Sequence, residues 1–167
     1  MNTAPETILA DMAAYNAPDV RRISHAMKVY AWASILGREE GLPADQQYIL
    51  QVAAALHDIG IHAAEKKHGS SAGKYQEQEG PAIARALLEK REVPAAVTDR
   101  VCTLIGRHHT YTGIDGMDCQ LLIEADFFVN IEEDQLSRES VEKIRTTIFR
   151  STTGLHFLDS LYLRGEA

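Results

Sequence analysis

An all-helical domain is the fold class this sequence predicts, on three observations. Apolar residues recur at spacings of three and four through most of the chain, which is the helical repeat. No stretch alternates apolar and polar residues for long enough to make a half-buried strand. The breaks between periodic segments are short and carry Pro, Gly, Asn, Asp or Ser, residues that start and stop helices. About eight helices in one domain over residues 1–167 follow, with no internal repeat and no linker that would mark a second unit.

Pro5 begins a first helix to about Tyr15, with Ile8, Leu9 and Met12 on one stripe. Asn16, Pro18 and Asp19 mark a break, and Asp19 is placed to cap a long helix that runs to about Glu40, where Gly41 stops it. Ile23, Met27, Tyr30, Ala31, Ser34 and Ile35 are the expected inner face of that helix. Pro43 opens the next, with Ile49, Val52, Ala53, Leu56 and Ile59 inward and three alanines at 53–55 that fit a central, closely packed position. It ends near Gly60, where His57 and Asp58 stand.

Residues 61–78, rich in Gly, Ser and charge, read as a mobile surface loop. Gly80 and Pro81 lead into a helix with Ile83, Leu87 and Leu88 inward. Pro94 begins another, with Val97, Val101, Leu104 and Ile105, closing at His108 and His109. YTGIDGMD is a loop, and CQLLIEADFFVNIEE is strongly apolar and helical. Ser137 starts a helix through Ile148, and Ser151 or Thr152 starts the last, with Leu155, Leu158 and Leu161 inward.

Composition limits the partners. The 167-residue chain holds 17 Lys and Arg against 24 Asp and Glu, a formal charge of -7, so broad electrostatic binding of a nucleic-acid polymer or an anionic membrane is not expected. The first fifteen residues lack a basic stretch followed by an apolar one, and no apolar run approaches a membrane span, so a cytoplasmic protein is expected. Cys102 and Cys119 lie in or beside apolar helical text and read as buried free thiols. Self-association is left open.

The chemistry concentrates in histidines and carboxylates. Five groups stand out: His25, the pair His57 and Asp58, the pair His108 and His109, Asp126, and His62. The first four lie within or at the end of core-forming helices. Asp126 interrupts LLIEADFFV, where a carboxylate is costly unless it meets a cation or several donors. Each group alone has a bland explanation, a satisfied core histidine or a helix cap. Together, imidazoles and carboxylates spread over several helices suit Mn, Fe, Co, Ni or Zn, with Mg also open. Adjacent helical residues point about 100° apart, so His57 and Asp58 can meet one ion only because they stand at a helix end.

The strings RRISHAMKVY, AALHDIG and LLIEADFF resemble the HD-domain superfamily of metal-dependent phosphohydrolases over about residues 20–130. That resemblance implies an HD-type helical bundle in which His25, His57, Asp58 and Asp126 bind a divalent metal. It also implies hydrolysis of a phosphoester or phosphoanhydride in a small phosphorylated metabolite or nucleotide. Some relatives hold a second ion, which His108 and His109 would fit. Those relatives usually place a His before GPAIARALLEK, where this chain has Gln76, a poor ligand, and Glu79, so one ion is favoured over two. Relatives that use an iron pair for oxidative chemistry give one alternative, and a non-catalytic regulatory module that keeps its metal gives another.

In the hydrolytic reading Asp58 both ligates the metal and orients the nucleophile. His62 would contact the leaving oxygen or a bound water, or else be a solvated loop residue. His108 and His109 would bind phosphate or protonate the leaving alkoxide, or else be a helix-end pair. Arg22 and Arg107, each next to a site residue in sequence, are the best candidates for gripping the substrate anion; Lys28, Lys66, Lys67 and Lys74 are weaker ones. Asn130, four positions beyond Asp126, would face the same cleft or be a buried amide. His68 and His156 are assigned no role.

Overall fold

The computed structural model describes residues 3–165. They form α1 (Pro5–Asn16), α2 (Val20–Glu39), α3 (Ala44–Leu56), α4 (Ile61–His68), α5 (Gly73–Lys90), α6 (Ala95–Ile105), α7 (Met117–Glu133), α8 (Arg138–Thr147) and α9 (Thr152–Leu158), followed by a π-helical turn, Asp159–Leu163. Among the described residues there is no strand, and no helix is long and apolar enough to cross a membrane. Capping is written in the sequence at three helix starts. Asp19 accepts from the Arg22 amide, Ser137 from that of Ser140, and Ser151 from that of Gly154.

α3 is the axis of the assembly, touching α1, α2, α6 and α7, while α5 lies across α6 and α4. Ala53, Ala54 and Ala55 are fully or almost fully buried, and their small side chains let the surrounding helices approach. The same core joins α2 to the C-terminal elements, where Trp32 stacks on Phe128 at 4.4 Å and meets Phe157 edge-on. Cys102 and Cys119 are buried and free, as expected.

The expected surface loop at 61–78 is instead mostly helix. Ile61 and Ala64 are buried and anchor α4 on the body, and Gly69, at φ 66°, ends it with its amide on the Glu65 carbonyl. α5 then starts at Gly73 and runs through Pro81 without a break, so the helix expected after Gly80 begins seven residues earlier. The reason lies at the crossing with residue 60. A Cβ on Gly60 would sit 2.6 Å from the Gly80 nitrogen and 2.9 Å from the Gln76 carbonyl oxygen. Two glycines let the backbone after Asp58 lie directly on the middle of α5.

Two inner faces also differ from expectation. On α2 the buried residues are His25, Ala26, Val29, Ala33, Leu36 and Gly37, while Met27 and Ile35 are exposed. Leu161 is likewise exposed, because the chain widens into the π turn after Leu158.

Glu124 fastens the C-terminal helices. This fully buried carboxylate on α7 accepts from the Gln120 amide, from the backbone amides of Arg150 and Ser151, and from the Ser151 hydroxyl. Four donors satisfy a charge that would otherwise be costly to bury. Gly154 leaves room for it, since a side chain there would collide with Glu124 and Ser151.

Candidate metal centre

Four segments converge on one point beside α3. α3 ends at Leu56, and residues 57–60 turn tightly, with the Ile59 amide on the Leu56 carbonyl and the Ile61 amide on the Asp58 carbonyl, each at 3.0 Å. That turn aims His57 and Asp58 at the same place. α2 brings His25, the turn after α6 brings His108 and His109, and α7 brings Asp126.

The contacts are close. His25 Nε2 lies 3.1 Å from Asp126 Oδ1, 3.3 Å from His57 Nε2 and 3.5 Å from Asp58 Oδ2. His57 Nε2 lies 3.5 Å from Asp58 Oδ2 and 3.6 Å from Asp126 Oδ1. The other oxygen of Asp58, Oδ1, is 3.4 Å from His108 Nε2. His25, His57 and Asp58 therefore make one cluster of ligating atoms, and Asp58, His108 and His109 make a second. Asp58 belongs to both, as a carboxylate bridging two cations would. Gln76 favours one ion over two, and the Asp58, His108 and His109 group is a second candidate position.

The donor set fits a divalent cation. His57 Nδ1 donates to the Ala54 carbonyl at 2.8 Å, and His108 Nδ1 to the Ile105 carbonyl at 2.7 Å. His25 Nδ1 donates to Glu133 Oε2 at 2.9 Å. Each bond fixes the proton on Nδ1 and leaves the Nε2 lone pair facing inward, the arrangement metal-binding histidines use. His108 Nε2 is fully buried without a hydrogen-bond partner, which a protein interior tolerates only for a reason.

Electrostatics agree. Burial opposes a charge on His57, yet the carboxylates of Asp58 and Asp126 outweigh it and push its pKa up to about 9. Burial would raise Asp126 and Asp58, but the imidazoles around them hold both well below the usual carboxylate range. The site thus favours concentrated positive charge. His109 differs: burial, with His108 next to it, lowers its pKa to about 4 and keeps the ring neutral.

The centre opens into a polar cleft of about 190 Å³, lined in part by Arg21, Arg22, His109 and Asn130. Of the residues expected from sequence, His25, Asp58, His109, Asp126, Arg22 and Asn130 line this cleft, and His57 and His108 lie directly behind Asp58. Two do not come to it. His62 turns to Asp19, 3.3 Å away, because the turn at 57–60 breaks the helical register that would have stacked it on Asp58. Arg107 donates to the carbonyls of Thr112 and Gly113 and so pins the following loop.

Gln76 does reach the cleft, its Oε1 3.3 Å from His109 Nε2, while Glu79 faces away to Lys67 and His68. Gly73 makes room for His109, since a Cβ there would lie 2.7 Å from the ring. Glu77 accepts the His109 amide at 2.9 Å and the Thr110 hydroxyl, setting the turn. Arg21, Glu77, Glu133 and Asp134 are further residues at or beside the site that the sequence motifs do not mark. Glu133 alone had a signal, the spacing Asp126, Asn130, Glu133, one face of a helix.

Comparison with known proteins bears on the fold and the family. No curated protein matches the chain. A solved structure with the same fold is a predicted HD superfamily hydrolase from an uncultured Thermotogales bacterium, with a TM-score of 0.66 and 22% identity over 94% of this chain and 84% of that one. The model of the HD domain family matches residues 22–146, well over half of the sequence, and that span carries His25, His57, Asp58, His108, His109 and Asp126. The chain belongs to the HD domain family.

Proposed function

We propose that this protein is a divalent-metal-dependent hydrolase of a phosphoester or phosphoanhydride in a small phosphorylated metabolite or nucleotide. The observation that carries the reading is Asp58, whose two oxygens face two histidine clusters at the floor of a cleft with arginines at its mouth. His25, His57, Asp58 and Asp126 would hold one cation, and Asp58, His108 and His109 a second. A cation bound there supplies an acidified water and neutralises charge on a phosphoryl oxygen.

The chain's own residues supply the rest. Arg22 and Arg21 grip the phosphoryl oxygens at the mouth, where a net-negative protein needs local positive charge. Asp58 holds the attacking water in line. Asn130 hydrogen-bonds the substrate from the α7 side, and where one cation alone is bound the neutral His109 faces the leaving oxygen. His62 and Arg107 have no part in it. One domain carries all of these groups, and the cytoplasm is the compartment we assign.

A second reading, oxidation at an iron pair, draws support from the two clusters sharing Asp58. Metal analysis of the purified protein, coupled to a panel of phosphomonoesters, nucleotides and cyclic nucleotides, tests both. Bound divalent metal and turnover that Asp58→Ala abolishes while helix content stays are the expected results. Absence of metal affinity in the folded protein, or turnover in Asp58→Ala, refutes the hydrolytic reading. Two redox-active irons without phosphatase activity move the oxidative one ahead.

A further inference from the structure

The imidazoles of the centre are not held alike. His57 and His108 each give the Nδ1 proton to a backbone carbonyl three residues back, and His109 Nδ1 faces the Tyr111 hydroxyl at 3.5 Å. Of these four, His25 alone gives it to a carboxylate, Glu133 Oε2. The other oxygen of Glu133 takes Lys28 Nζ at 2.9 Å, and Lys28 also bonds Glu132. Asp126 and Glu133 stand seven residues apart on α7, two turns on one face, and so clamp the His25 ring from both nitrogens.

A carboxylate on the far nitrogen does two things that a neutral carbonyl does less well. It fixes the Nδ1–H tautomer, and its negative charge makes Nε2 a stronger donor to a cation. Glu133 is well suited to this: only one-fifth of its side chain is exposed, and Lys28 Nζ holds its other oxygen at 2.9 Å.

We propose that Glu133 is a positioning residue that makes the His25, His57, Asp58 and Asp126 position the tighter of the two, so that the centre loads in a set order. The Asp58, His108 and His109 position, with no carboxylate behind either histidine, fills second. Lys28 acts one step further out, holding Glu133 against the ring. The proposal rests on the metal-centre reading above and adds an order of filling to it.

The test is a titration of the 167-residue wild type, Glu133→Gln and Lys28→Met with Mn²⁺, followed by calorimetry and by electron paramagnetic resonance of the bound ion. Wild type is expected to show a tight and a weaker class of site. Glu133→Gln should weaken the tight class by about tenfold or more and leave the weaker class unchanged. Lys28→Met should give a smaller loss in the same class. In the Zn²⁺-loaded protein, the downfield His25 Nδ1–H resonance seen in wild type should be lost in Glu133→Ala. A tight class unchanged in Glu133→Gln, or equal weakening of both classes, overturns the proposal while leaving the metal centre standing. A wild type that takes up no Mn²⁺ or Zn²⁺ overturns both.

Discussion

Replacing Gly60 with Ala separates steric need from conformational need at the point where the turn that carries His57 and Asp58 meets α5. Gly60 has φ -81° and ψ -8°, an ordinary right-handed conformation that alanine adopts freely. Relief of unfolded-chain entropy alone would stabilise Gly60→Ala by about 0.4–1 kcal/mol. Space argues the other way. The atoms a Cβ would meet are all backbone, at 2.6 to 2.9 Å, and no side chain can swing aside. Restoring the 3.4 Å of ordinary contact at the closest of them means parting the turn from α5 by about 0.8 Å. Overpacking of that kind costs about 1–3 kcal/mol, which exceeds the entropic gain.

A net loss of about 1–2 kcal/mol corresponds to a fall in Tm of roughly 2–8 °C for a chain of this size. The displacement also reaches the centre, since Asp58 stands two residues before Gly60 and Gln76 lies in the opposed segment. Metal affinity should therefore drop by about tenfold, as it does when groups supporting a ligand are lost. Gly106→Ala is the control. Gly106 has φ -68°, and its Cβ would meet its nearest atoms at 3.3 to 3.7 Å, so Tm and metal affinity should stay near wild type. Differential scanning calorimetry and a metal titration on the two variants decide the matter. A Gly60→Ala protein that melts with wild type and binds metal equally well refutes the argument that backbone contact at Gly80 sets the site.

Two other outcomes follow from features away from the centre. Glu124→Gln puts an amide group among donors that need acceptors, and should cost about 2–4 kcal/mol in urea unfolding; a loss under about 0.5 kcal/mol would mean that the buried carboxylate does not fasten the last two helices. Asp11 on α1 accepts both guanidinium bonds of Arg91 after α5, and that pairing holds its carboxyl below the usual range. A depressed folded pKa gives stability that is present above the unfolded value of about 3.9 and is lost as pH falls through the folded one. The Tm difference between wild type and Arg91→Met should thus shrink below about pH 4, and a difference that holds constant to lower pH would refute this assignment.

The fold was legible where punctuation and periodicity agreed. Pro5, Asp19, Pro43, Pro94 and Ser137 all stand at or beside the helix starts they were expected to mark. Pattern and structure part where small residues carry the packing. On α2 the weight of Met27 and Ile35 drew the inner face away from Ala26 and Ala33, which are buried because neighbouring helices press against them. α4 was hidden because only Ile61 and Ala64 of its eight residues are buried, among charges typical of a loop.

At the site, Asp126 stood out as a charge in apolar text, whereas Glu133 sits in the run EEDQ, where a carboxylate is unremarkable. Arg107 turns to the carbonyls of its own loop and not to the cleft, since sequence adjacency to His108 says nothing about direction at a helix end. His62 was tied to Asp58 by a helical spacing that the intervening turn removes.

The different lengths of the bonds behind the histidines, counted along the chain, carry a consequence of their own. His57 and His108 are aimed by carbonyls three residues earlier, so the aim of each is encoded within a single turn of backbone and travels with that segment. His25 is aimed by a residue 108 positions away, and its orientation exists only once α2 and α7 have met. Two imidazoles can thus be ready while the chain is still assembling, and the third is completed by long-range docking. On the proposed metal reading, firm capture of an ion would therefore wait until α2 and α7 have met, so that the site is complete only in the assembled helical body.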